Sequence, residues 1–189
     1  LAENYGRCCG NQAKRCGLNW VLAPVCDVNS NPDNPVINVR AWGEDPHTVG
    51  ELTGAFQRGL AATGVLGCAK HFPGHGDTSV DSHIGLPVIP ADRARLDSVE
   101  LVPFDRAIQA GVDAIMTAHV ALPEILGVDG PPATLSPDIM TGLLRADLAF
   151  DGVLFTDAMT MGAITDAYGI GEASVRAVEA GSGVILSPK

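Results

Sequence analysis

The stretch GVLGCAKHFPGHGDTSVDSH, residues 64–83, decides how the chain is read. From Val65 to Ala69 it is apolar without alternation, and at Lys70 and His71 it opens into a polar, glycine-bearing loop. A short continuous apolar run reads as a strand buried on both faces, the mark of a parallel sheet. Four more runs of this kind occur: NWVLAPVCDV (19–28), VDAIMTAHV (112–120), DGVLFTDAM (151–159) and SGVILSPK (182–189). Between them lie helical stripes: Val49, Leu52, Phe56 and Leu60; Phe104, Ala107 and Ile108; Ile139, Leu143 and Leu144 beside Met140; and a weaker set of Ala173, Ala177 and Val178. Pro103 marks a first helical turn or a kink.

Strand and helix alternate with no hairpin turn between runs, so the chain is α/β with a parallel sheet. Polar residues gather at the C-terminal ends of the runs: Asp27, Lys70 and His71, His119, and Asp157. A (β/α)8 TIM-barrel type of fold collects its working groups at that end. A doubly wound sheet does so at its switch point, but no G-x-G-x-x-G follows the first run, and the barrel is preferred. A complete barrel needs eight strands and about 250 residues. The expectation for residues 1–189 is therefore one partial barrel domain, about five C-terminal βα units with the first three missing. Such a piece exposes parallel edges and is expected to need those strands, or a partner chain, to be stable and active.

Composition narrows the class. Hydrophobic residues make up 46% and charged residues 18% of the chain, as in a globular domain with a substantial core. The net charge of −10, with aromatics at only 5%, argues against nucleic acid as a partner. No stretch of about 18 apolar residues occurs, so no membrane span is expected. The opening LAENYGRCCGNQ has no apolar core of the signal-peptide kind and reads as the inside of a helix. The five cysteines have no CxxC spacing, and Cys26 and Cys68 read as small buried hydrophobes. No compartment follows from these features.

Three motifs carry chemistry. KHFPGHGDTSVDSH (70–83) crowds Lys70, His71, His75, Asp77, Asp81 and His83 into one loop. Asp81 and His83 are two apart, close enough for the carboxylate to hold one ring nitrogen while the other exchanges a proton. The loop also reads as a metal site, with His71, His75, Asp77, Asp81, His83 and His119 of ligand type, although no familiar zinc spacing occurs and Lys70 would oppose a cation. A non-catalytic carbohydrate-binding role is a third reading, and a solvated polar loop a fourth. In LFTDAMTMGAI (154–164), Asp157 ends a buried run, either as a helix cap or as a carboxylate open to the barrel mouth. In NPDNPVINVRAWGEDP (31–46), Arg40 is either a donor fork for oxygen atoms or a loop anchor to Glu44 or Asp45.

Taken in order, these motifs resemble glycoside hydrolase family 3, specifically its β-N-acetylhexosaminidase branch, over essentially the whole chain. KHFPGHGDT followed by DSH and then FTDAM carries the resemblance. It implies a retaining hydrolase that releases terminal N-acetyl-β-D-glucosamine through a covalent glycosyl-enzyme. It also implies that Asp157 is the nucleophile, that His83 held by Asp81 is the acid/base, and that Arg40, Lys70 and His71 bind substrate. No cofactor or metal is implied. Alternatives on the same barrel are a glycoside phosphorylase or a β-glucosidase, and outside it a metal-dependent hydrolase or a sugar-binding fragment. The Asp-Gln-Glu-Gly-Gly-like segment of relatives, which follows an early strand, does not occur, and the chain opens where the helix after that segment would lie.

Overall fold

The computed structural model describes residues 1–188; Lys189, the last residue of the fifth apolar run, lies outside the described residues. The chain opens with α1 (Ala2–Arg15), then β1 (Trp20–Val21), a 3-10 turn at Asn38–Arg40, α2 (Pro46–Ala61) and β2 (Leu66–Phe72). After the long polar loop, α3 (Arg93–Arg95) runs through a π-type segment at Leu96–Glu100 into α4 (Val102–Gln109). β3 (Ala114–Thr117), α5 (Pro123–Leu126), a 3-10 turn (Ala133–Leu135) and a second π-type segment (Asp138–Asp147) follow. β4 (Val153–Ala158), α6 (Gly162–Thr165), α7 (Ile170–Ala180) and β5 (Val184–Leu186) complete the order.

The five strands form one parallel sheet in the sequential order β1-β2-β3-β4-β5, a curled half-barrel of the TIM type. Each strand alternates between two apolar layers. Cys68, Ala114, Met116 and Phe155 face the concave side with Trp20, Val184 and Leu186, and Trp20 meets Phe155 edge-on at 5.1 Å. Ala69, Ile115 and Leu154 face the other way, into a larger cluster with Phe104, Ile139, Met140 and Leu144 from the covering helices. Truncating a fully buried member such as Leu144 to Ala costs about 2–5 kcal/mol.

The helical stripes fall where expected in α2, α4 and the 138–147 segment, whose apolar members are buried apart from the half-buried Leu52 and Ile108. Pro103 lies in the first turn of α4, where its missing N–H costs nothing. Two details differ. Val178 is 56% exposed, so the buried stripe of α7 is Ala173, Ala177 and Ala180. The first apolar run pairs as a strand only at Trp20–Val21 and again through Val25 to Lys70, because Pro24 has no N–H to give the ladder. α1 packs on α2 through Gly6 and Gly59, where a Cβ would collide with the Phe56 and Glu3 carbonyls. No helix among the described residues is long and apolar enough to cross a membrane.

Candidate active site

Period-two alternation sets the first two side chains. Lys70 is two residues beyond Cys68, and Asp157 two beyond Phe155, so both leave the concave apolar layer at its C-terminal rim. Burial, reinforced by the Arg40 charge, lowers the Lys70 ammonium below its usual range, against the opposing pull of Asp157. Asp157 is half-buried and accepts a hydrogen bond from the Ala158 N–H at 2.7 Å. It caps no helix: α6 begins five residues later behind Met161, which makes no side-chain cap. The capping alternative is thus replaced by a carboxylate at the rim.

Beneath the rim lies a buried polar framework centred on Asp27, which is 0% exposed. One Asp27 oxygen sits 2.7 Å from His71 Nδ1, and the other accepts the backbone N–H groups of His71 (3.3 Å) and His75 (2.7 Å). Burial alone would raise this carboxyl, but His71 and His75 outweigh it and hold it below the ordinary range. A carboxylate only accepts, so His71 Nδ1 carries the proton. In the neutral ring Nε2 then accepts, and Arg40 Nη2 stands 3.4 Å away as donor. Arg40 also donates to the Val36 carbonyl at 3.1 Å, while Asp45 caps α2 through the Thr48 N–H. The alternative that tied Arg40 to Glu44 or Asp45 is not what forms.

Two further histidines are buried. His75 lies 2.7 Å from Thr78 Oγ1 by Nδ1 and 3.2 Å from Ser82 Oγ by Nε2. His119 lies 2.9 Å from Thr134 Oγ1 by Nδ1, and its Nε2 donates to the Ala158 carbonyl at 3.1 Å, beside Asp157. Burial lowers both imidazoles below the ordinary histidine value. Asn34 ties the framework to the loop, donating to the carbonyls of His75 and Gly76.

The loop itself carries an open pair. Asp81 Oδ1 accepts the His83 backbone N–H at 2.9 Å and stands 2.7 Å from His83 Nδ1. That backbone hydrogen bond, with the imidazole contact, holds the Asp81 carboxyl below its usual range despite partial burial. The His83 side chain is 67% exposed, and its Nε2 makes no hydrogen bond among the described residues. The loop is stitched to the segment just after Asp157: Gly162 N–H donates to the His83 carbonyl (3.3 Å) and Ala163 N–H to the Ser82 carbonyl (3.1 Å). A Cβ on Gly162 would lie 2.8 Å from that His83 carbonyl, so glycine permits the approach.

Of the six residues of ligand type, only Asp81 and His83 are hydrogen-bonded to each other, and the other four are held by other partners. Asp77 pairs with Arg95 at 3.5 Å, and Arg95 with the buried Glu100 at 2.9 Å. Among the described residues no three His, Cys, Asp or Glu side chains stand where they could hold a metal ion. Sequence reasoning singled out Lys70, His71, Asp81, His83, Arg40 and Asp157, and the structure brings all of them to one end of the sheet. It missed Asp27 as an organiser, although its place at the end of an apolar run was a signal. Ser82, Thr78 and Thr134 gave none, since their importance lies in contacts across the fold.

A family profile described as the glycosyl hydrolase family 3 N terminal domain matches residues 1–189. The chain belongs to glycosyl hydrolase family 3. It is 43% identical over 189 residues to a β-hexosaminidase A of Pseudoalteromonas piscicida, covering 95% of this chain and 32% of that protein. A family 3 β-N-acetylglucosaminidase structure from Paenibacillus sp. str. FPU-7 is 48% identical at a TM-score of 0.95, over 98% of this chain and 35% of the other. A β-glucoside phosphorylase structure is 30% identical at a TM-score of 0.93, over 99% and 36% of the two chains. The chain thus spans about a third of the length of each of these relatives.

Proposed function

We propose that this chain carries the catalytic face of a retaining β-N-acetylhexosaminidase, with Asp157 as nucleophile and His83, oriented by Asp81, as acid and base. The observation that carries the reading is the Asp81–His83 contact at 2.7 Å on a solvent-open imidazole whose Nε2 has no partner among the described residues, beside the segment that follows Asp157. Asp81 accepts a hydrogen bond from Nδ1–H, so Nε2 is the nitrogen that meets the substrate. The Asp81 charge stabilises the imidazolium, as a triad carboxylate does. Asp157 attacks the anomeric carbon while imidazolium Nε2–H protonates the departing oxygen, leaving a glycosyl ester on Asp157. Neutral His83 then takes a proton from water as the water attacks, and free Asp157 and the sugar result. Most retaining glycosidases use two carboxylates about 5 Å apart for these roles; here a histidine fills the second.

Lys70 and Arg40 are the positive groups of the rim and serve as donors to sugar hydroxyls or the N-acetyl oxygen. His71, buried between Asp27 and Arg40, supports Arg40 as much as it faces substrate. The concave apolar layer around Trp20 and Phe155 is closed in the working enzyme by further strands pairing at β1 and β5. The likeness to a β-glucoside phosphorylase favours one second reading. A neutral histidine brings no negative charge against an incoming anion, so phosphate can replace water in the second step.

One assay on the whole protein tests the reading. Turnover of p-nitrophenyl N-acetyl-β-glucosaminide above the glucoside, unchanged by EDTA and without glycosyl phosphate when phosphate is added, is the expected result. Glucoside-only turnover overturns the N-acetyl assignment, and loss in EDTA overturns the histidine acid. Glycosyl phosphate as the main product shifts the reading to phosphorolysis.

A further inference from the structure

Within Asp81-Ser82-His83 the middle residue is turned inward. Ser82 is 3% exposed, between an Asp81 side chain at 30% and a His83 side chain at 67%. Its hydroxyl lies 3.2 Å from Nε2 of His75, which is itself 2% exposed. The direction of this bond follows from the neighbouring proton. Thr78 Oγ1 donates to the His75 carbonyl at 3.0 Å, so at the 2.7 Å contact it accepts, and His75 Nδ1 is the donor. Nε2 is then the acceptor, and the Ser82 hydroxyl donates to it. His75 is anchored in turn: its N–H reaches Asp27 at 2.7 Å, and its carbonyl accepts from Asn34 at 2.8 Å. Asp27 thus holds the His75 backbone and the His75 ring holds Ser82, the residue covalently between the two members of the exposed dyad.

We propose that His75 is a positioning residue which, through Ser82, sets where His83 delivers its proton. The inference rests on the reading of His83 as acid and base. The amide bonds from Gly162 and Ala163 hold the loop's backbone from one side. The Ser82 hydroxyl supplies the second point of attachment, from the barrel side. Two attachments fix both the height and the tilt of a loop; one leaves it free to pivot. An acid displaced by as little as about 1 Å loses much of its effect.

The test exploits the leaving group. A disaccharide of N-acetylglucosamine must have its departing alcohol protonated, whereas 2,4-dinitrophenolate leaves without a proton. Ser82→Ala and His75→Phe in the whole protein are expected to lower kcat/KM on the disaccharide about tenfold or more, a fraction of the roughly 10²–10⁴-fold available to general acid catalysis. On the dinitrophenyl glycoside the loss should stay under about twofold, because proton delivery is not needed. The double variant should be no worse than His75→Phe alone, since the bond that Ser82→Ala removes is already lost with the imidazole. Equal losses on the two substrates, or none on either, overturn the proposal. His83→Ala separates the two levels: if it discriminates between leaving groups and Ser82→Ala does not, only the positioning role falls. If His83→Ala itself does not discriminate, the acid/base reading falls and this inference with it.

Discussion

Two carboxylate–histidine pairs stand within one site and differ in almost every respect but distance. Asp27–His71 and Asp81–His83 both close at 2.7 Å, yet the side chains of the first pair are 0% and 6% exposed and those of the second 30% and 67%. Asp27 spends its oxygens on three donors and His71 both its ring nitrogens, so that pair has nothing left to exchange. In the second pair one ring nitrogen remains open to whatever enters the mouth of the half-barrel. The same chemical unit is locked when buried and, when half in solvent, keeps the open nitrogen that the proposed acid and base requires.

That contrast breaks if the wrong pair proves catalytic. The largest expected effect lies outside both: Asp157→Asn should reduce turnover by about 10⁴-fold or more, as loss of a nucleophile does, measured by glycosidase kinetics. Next, His83→Ala should lower kcat/KM on unactivated glycosides by roughly 10²–10⁴-fold. Its unfolding free energy should stay within about 0.5 kcal/mol of the parent, because the side chain is exposed. Asp27→Ala should show the reverse emphasis. It strands the donors of His71 and His75 in the interior and should cost about 3 kcal/mol or more in denaturant unfolding. Asp81→Ala should barely move that free energy while cutting activity. If the two aspartates exchange these signatures, the division between the locked pair and the open one is wrong.

The smallest effect is in acid. Burial keeps His75 and His119 below their ordinary value of 6.5 in the folded chain, so below that pH the unfolded chain binds more protons. The contribution of these two histidines to stability should therefore be constant above about pH 6.5 and decline as the pH falls beneath it. His119→Gln should flatten that decline, read from urea midpoints between pH 5 and 7.5. Asp27, held low, adds its own loss only at more acid pH, as the solution falls through its folded value.

Much of the site was legible because its residues are close in sequence or end a strand. Asp81 and His83 are two apart, a separation at which a loop can set the carboxylate against the ring, and the contact forms at 2.7 Å. Lys70 and Asp157 lie at the C-terminal ends of their apolar runs, the end where a parallel sheet gathers its working groups. Arg40 was ambiguous because a long loop of Asn and Pro has no periodicity to project from, and its partner proved to be His71, 31 residues away. Val178 was misplaced because one helix turn of small residues does not say which side of it faces the core.

The sequence by itself determined the parallel α/β sheet, the end of it that gathers polar groups, the family and the pairing of Asp81 with His83. These depend on periodicity, on strand direction and on separations of a few residues. Only the tertiary structure decided which histidines are locked and which is free. It also showed Asp27 to be the hub of the buried polar framework and Ser82 to be the inward-facing residue between Asp81 and His83. Burial and the direction of each hydrogen bond are properties of what lies across the fold, and residues such as Asp27 and His75, 48 apart in the chain, meet only after the strands have paired.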